Sequence, residues 1–343
     1  MTVPSKPLPQ LLDRELARAK AREIVGDLLE TTEDMANEGT QLLSRLLSEA
    51  ARVNPRRRFN SSLLLLLRHV IEHIDAVDEL FKAGIFSPTS LHVRSILEAR
   101  MQMLYMAGRR AEFRPSPLDP AQRNIDPVPR DADGAALIGP ALEAERERRG
   151  AAYIVADIRA RLAQAERYTT ANVHDWQERM TGDASVPPLV SDPSTQSQLQ
   201  AEIVKLKNQL AERENQPLDA AITAARGRDK FDPPWYEIDG GPGSVRALAA
   251  SVGLVGDYDM FYSPASVVMH AANVRGQLGA ARDTGGHGPA PLRHAHFGAE
   301  VARTLIIHVV QIYRHVISEL RPSDMAMWNE WTKRWTVVAR AIE

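Results

Sequence analysis

An all-α, multi-helix bundle with long irregular inserts is the fold class this sequence predicts, on three observations. Apolar residues recur at helical spacing through most of the chain. Ser-Pro, Gly and Pro fall where such helices would start and stop. No run of alternating strands separates them, which argues against a parallel sheet built from βαβ units. The length of 343 residues, with 44% hydrophobic and 25% charged residues, is ample for a sizeable core.

The elements follow in order. Residues 9–53 read as two amphipathic helices, with Leu11, Leu12, Leu16, Ile24 and Leu28 in the first and Leu42, Leu43, Leu46 and Leu47 in the second, and Thr31 or Thr32 capping the second start. Arg56, Arg57 and Arg58 mark a basic turn. From Asn60, a cap residue type, a strongly apolar helix runs to Lys82 and stops at Gly84. Ser87-Pro88 opens the next helix, which is expected to reach about Arg110.

Six prolines between 115 and 140 deprive that stretch of backbone donors, so it is expected to be irregular. A charged helix over 141–180, with a break at Gly150 as an option, carries the stripe Ile154, Ile158, Leu162 and Ala165. Leu199, Ile203, Leu206 and Leu210 then form a heptad-like seam too short for a free coiled coil, which is expected to pack inside the bundle. After a short helix from Ser244, Ser263-Pro264 starts another that continues to about Ala280. A Gly- and His-rich loop, a long apolar helix over 299–320 and a Trp-bearing helix close the chain. The expected division is an N-terminal helical segment, 1–58, and a main bundle, 59–343, that includes the Pro-rich insert 115–140 and a helical excursion 141–226.

Several chemistries are disfavoured. Without cysteine there is no disulfide, thiolate nucleophile or zinc-thiolate site. P-loop, GxSxG, HExxH and ExxH patterns are missing, and the glycines at 240, 241 and 243 follow no strand. No cofactor and no metal is expected. A net charge of −2 gives no whole-chain field for nucleic acid, so such a partner would need a local patch. The N-terminus lacks a signal-peptide core and the longest leucine run is far shorter than a membrane span, so a cytoplasmic chain with no membrane partner is expected.

Two constellations carry polar chemistry. Arg94, Glu98, Met101 and Tyr105 share one face of a largely apolar helix, so the two charges need partners. Tyr262, Ser266, His270, Asn273 and Gln277 form a stripe on an Ala- and Val-rich helix, where His270 suits general acid or base work and the others suit substrate positioning. The Arg94/Glu98 face reads first as a structural ion pair or capping contacts and second as a functional pocket, and the Tyr262 stripe reads equally well as a structural network, so both readings stand. His69 and His73, four apart beside Glu72, have chelating spacing but read first as structural, as do His308 and His315. His287, His294 and His296 belong to a loop.

Residues 63–107, with Arg94, Ser95 and Glu98, and residues 233–275, with Tyr262, Ser266 and His270, resemble a bacterial helical family catalogued as domain of unknown function five-six-seven-seven. That family in turn is similar to HEPN helical ribonucleases and nucleotide-binding proteins, whose signature is an Arg followed at short range by a His. Arg303 and His308 match it inside a late apolar helix; Arg68/His73 and Arg282/His287 match the spacing alone, and Arg167/His174 has a longer one. The resemblance implies an RNA-acting protein of stress or phage defence, a metal-independent ribonuclease using His270 or His308 with Arg94, Glu98 or Arg303, and Tyr262, Ser266 and Asn273 at the substrate. The rival is a non-catalytic binding or assembly module with a protein partner. A homo-oligomer is compatible with either. The two polar stripes are expected to meet in space.

Overall fold

The structure is a computed structural model that describes residues 14–50, 57–86, 88–111, 135–169, 193–226, 231–265, 278–280, 287–289 and 298–340, with Pro129 and Arg179 as isolated positions. It is all-α, as the apolar spacing predicts, apart from one three-residue antiparallel ladder that pairs Leu278 with Pro289 and Ala280 with His287. The chain forms two compact units whose boundaries differ from the expected 1–58 and 59–343. The first comprises 1–55, 63–130 and 245–343, and the second comprises 56–62 and 131–244.

In the first unit, α1 (Arg14–Ala50) is one helix with a kink at Val25 rather than two helices. The threonines expected as caps lie inside it. Thr31 Oγ1 donates to the Asp27 carbonyl, and Thr32 Oγ1 donates to the Leu29 carbonyl and to the buried Asp78 carboxylate at 2.9 Å. Tertiary demand from Asp78 thus occupies a side chain that local sequence assigns to a cap. Helix α2 (Arg57–Lys82) ends as predicted: Gly84, at φ +69°, donates to the Phe81 carbonyl at 2.8 Å, and Ile85 donates to that of Leu80 at 2.8 Å. Helix α3 (Thr89–Met106) stops short of Arg110, with Ala107 and Gly108 turning the chain.

The second unit is built on α4 (Gly139–Arg167), which passes unbroken through Gly150 and ends before 180. A Cβ at Gly150 would stand 2.6 Å from Phe59 Cα, so this glycine serves close backbone approach rather than a helix break. Glu147, one turn earlier, accepts from the Arg58 and Phe59 amides at 2.9 and 3.0 Å, a carboxylate at the exposed donor end of α2. Helices α5 (Pro193–Ala211) and α6 (Gln216–Arg226) pack on α4, and Ile203 and Leu206 of the heptad-like seam are buried there. A 3₁₀ turn, Trp235–Gly240, adds Trp235, Tyr236 and Ile238 to this core.

Back in the first unit, α7 (Val245–Ser251) and the single turn α8 (Val255–Asp257) lead into a π-helical turn, Tyr258–Tyr262. Helix α9 (Gly298–Leu320) is the hub: it packs against α1, α3 and α10 (Met325–Arg340). Its core side includes Leu305, Val309, Ile312, Tyr313 and Val316, and Tyr313 Oη donates to the Met35 carbonyl of α1 at 2.8 Å. Most of the Pro-rich insert 115–140 lies outside the described residues; its last part, from Gly139, belongs to α4.

Candidate functional site

The π-turn brings Tyr262 onto the polar face of α3. Arg94 and Glu98, one helical turn apart, both reach its hydroxyl. Arg94 Nη2 donates to Tyr262 Oη at 2.9 Å, and Tyr262 Oη donates to Glu98 Oε2 at 2.9 Å. The same guanidinium lies over the Tyr262 ring, 4.6 Å from its centroid, and Tyr258 stacks on that ring at 5.0 Å. Glu98 Oε1 takes a longer bond from Gln102 at 3.4 Å. Burial first, and the Glu98 charge second, push the Tyr262 phenol up to about 12, so it stays protonated at neutral pH. The Arg–Tyr–Glu chain therefore runs in one direction, donor to acceptor, with each charge matched. Residues 94 and 98 from one matched segment and 262 from the other meet as expected; Ser266, His270 and Asn273 lie outside the described residues.

His308 is held by a separate set. Only 1% exposed on α9, it places Nδ1 at 2.6 Å from Arg100 Nη1 and Nε2 at 3.4 Å from Asp257 Oδ1. A guanidinium only donates, so Nδ1 accepts and the ring proton sits on Nε2, toward Asp257. Arg303, five residues earlier and half-buried, is turned about 140° around α9 from His308. The polar partners that hold His308 are thus Arg100 and Asp257, which sequence spacing did not single out. They come from positions roughly 200 and 50 residues away, and such separations leave no periodic mark.

Arg100 and Asp257 also line a cavity of about 520 Å³ in the first unit, together with Arg109, Arg110, Arg314 and His315. Arg109 Nε donates to the buried Glu319 carboxylate at 2.9 Å. Arg314 lies over the Trp328 ring, 5.1 Å from its centroid. Burial pushes the His315 imidazole down to about 4, an effect that Glu319 opposes and Arg109 and Arg100 reinforce, so the ring is neutral at physiological pH.

The expected His69/His73 pair gains a third member from α3. His73 Nδ1 lies 2.9 Å from His92 Nδ1, and His73 Nε2 lies 3.1 Å from His69 Nε2. Burial lowers all three, His73 to about 4. Because His73 offers one ring nitrogen to each of its two neighbours, the three imidazoles form a row instead of converging on one point. Among the described residues no group of three His, Asp or Glu has metal-holding geometry. The side chains of His287, His294 and His296 lie outside the described residues. Among the described residues no helix is long and apolar enough to cross a membrane.

Comparison of the chain with protein-family models, with curated proteins and with solved structures gives no match.

Proposed function

We propose that this chain is a non-catalytic binding module, in which the Arg94/Glu98/Tyr262 chain and the His308 set are structural and a ligand is taken at the arginine-lined cavity. The observation that carries the reading is the state of the two described groups among those a ribonuclease would use, the Tyr262 hydroxyl and the His308 imidazole. Tyr262 Oη both receives from Arg94 and donates to Glu98 at 2.9 Å, and His308, 1% exposed, has a partner at each ring nitrogen. A general base must reach the proton it removes, and a buried, doubly engaged imidazole does not present a free nitrogen to a substrate.

The competing reading, a HEPN-like metal-independent ribonuclease of defence or stress, draws on the same pairing: Arg100 is a cation beside His308. One experiment separates the two. His308→Ala removes the imidazole that receives from Arg100 and faces Asp257 and leaves a void at a buried position of α9, and it is expected to cost about 2–4 kcal/mol in urea unfolding. Wild-type protein is expected to leave a mixed-sequence single-stranded RNA intact in EDTA. Cleavage by the wild type that His308→Ala abolishes, with an unchanged unfolding midpoint, would overturn the module reading.

A further inference from the structure

The arginine-lined cavity narrows the ligand class, and this step rests on the binding-module reading. Among its described lining residues Arg100, Arg109, Arg110 and Arg314 face a single carboxylate, Asp257, in a chain whose formal net charge is −2. Gathering four guanidiniums around one concavity is unfavourable by mutual repulsion unless a negative charge joins them. Part of that charge is built in, since Glu319 accepts from Arg109 at 2.9 Å and Asp257 sits 3.4 Å from His308 Nε2. Arg314 lies instead over the Trp328 indole face, 5.1 Å from its centroid. His315, neutral in this setting, adds no positive charge and tolerates a cationic surround.

The rest of the wall mixes Gln311 and Ser318 with apolar side chains, of which Ile307 and Met325 present accessible surface while Met103 and Leu254 are buried behind it. Met103, Leu104, Leu254, Ile307 and Met325 line the same space. Methionine and leucine surfaces offer adaptable contact to an apolar or aromatic body and nothing to a bare inorganic ion. The volume of about 520 Å³ falls in the range of small-molecule sites and is far too small for a folded macromolecule. Planar guanidinium forks match phosphate oxygens in pairs, which an ammonium does not do.

We propose that this cavity binds a small organic phosphate, a phosphomonoester with an apolar or aromatic body, its phosphate among Arg100, Arg110 and Arg314 and its body against Ile307 and Met325. Both halves of the ligand contribute. Inorganic phosphate would meet only the arginines, and an uncharged aromatic only the wall.

Calorimetric titration of the full chain with phenyl phosphate, inorganic phosphate and phenol tests this. Phenyl phosphate is expected to bind saturably and at least about tenfold more tightly than either of the others. Arg314→Gln, at an exposed position, and Arg110→Gln are each expected to weaken it about tenfold. Arg314→Lys, which keeps the charge and loses the fork, is expected to fall between. Arg68→Gln, on the exposed surface of α2, serves as the charge control and is expected to leave binding unchanged. No saturable binding of phenyl phosphate, equal binding of phenol, or binding indifferent to both arginine variants would overturn the assignment. RNA cleavage by the wild type that His308→Ala abolishes with an unchanged unfolding midpoint, by contrast, would sink the module reading and leave the titration to stand on its own, so the two failures are told apart.

Discussion

Removing one oxygen from Tyr262 probes the polar chain at its centre. Tyr262→Phe keeps the stacking on Tyr258 and the position of the ring beneath the Arg94 guanidinium, but deletes the hydroxyl that receives from Arg94 and donates to Glu98. Each lost bond joins a neutral group to a charged one at 2.9 Å, a type worth roughly 1.5–3 kcal/mol when fully buried. Arg94 and Glu98 are only half-buried, so water recovers part of that loss. The expected net cost is about 1–3 kcal/mol, which for a unit of this size lowers Tm by roughly 2–10 °C. Urea unfolding of Tyr262→Phe, Glu98→Gln and the double variant measures the coupling between the two side chains, expected at about 0.5–2 kcal/mol. Because the phenol titrates only near 12, the cost should be constant from pH 6 to pH 9. A cost within about 0.3 kcal/mol of zero together with zero coupling would refute the claim that this chain of bonds holds α3 to the π-turn.

Further outcomes follow from the same structure. His315 is lowered from 6.5 to about 4, so folding favours its neutral form: its contribution is intact above pH 6.5 and is lost as pH falls toward 4, up to about 3 kcal/mol. Urea midpoints at pH 7, 5.5 and 4.5 should therefore fall less steeply for His315→Gln than for the wild type, and parallel slopes would contradict this. Gly150→Ala should destabilise the second unit by about 1–3 kcal/mol or more, since the new Cβ would meet Phe59 Cα at 2.6 Å, whereas Gly26→Ala, with nothing within 4 Å, should be neutral or stabilising by up to about 1 kcal/mol. Thermal melts of the pair give the sign directly. Leu206→Ala, at a fully buried seam position, should cost about 2–5 kcal/mol and Leu199→Ala, half-buried on the same seam, clearly less; equal costs would argue against packing of α5 on α4.

Reading by period served the helices well and the junctions less so. The stop at Gly84 was legible because a residue without Cβ after an apolar helix is a local signal, and the same holds for the start near Pro88. Gly150 misleads by the same local logic. Nothing near it in the chain shows that Phe59, some ninety positions earlier, passes within contact of its α-carbon. The threonines at 31 and 32 fit a cap by type, yet the buried Asp78 carboxylate claims one of them.

The sequence by itself determined the helical class, because amphipathic period is written residue by residue, and it singled out Arg94, Glu98 and Tyr262, because charges on an apolar face need partners wherever they are. Tertiary structure alone decided who those partners are. Arg100 and Asp257 find His308, His92 joins His69 and His73, and Arg109, Arg110 and Arg314 gather around one cavity in a chain of nearly balanced charge. Net charge sums over the whole chain and discards position, whereas Coulomb energy depends on separation; the cationic cavity exists only once α3 and α9 lie side by side.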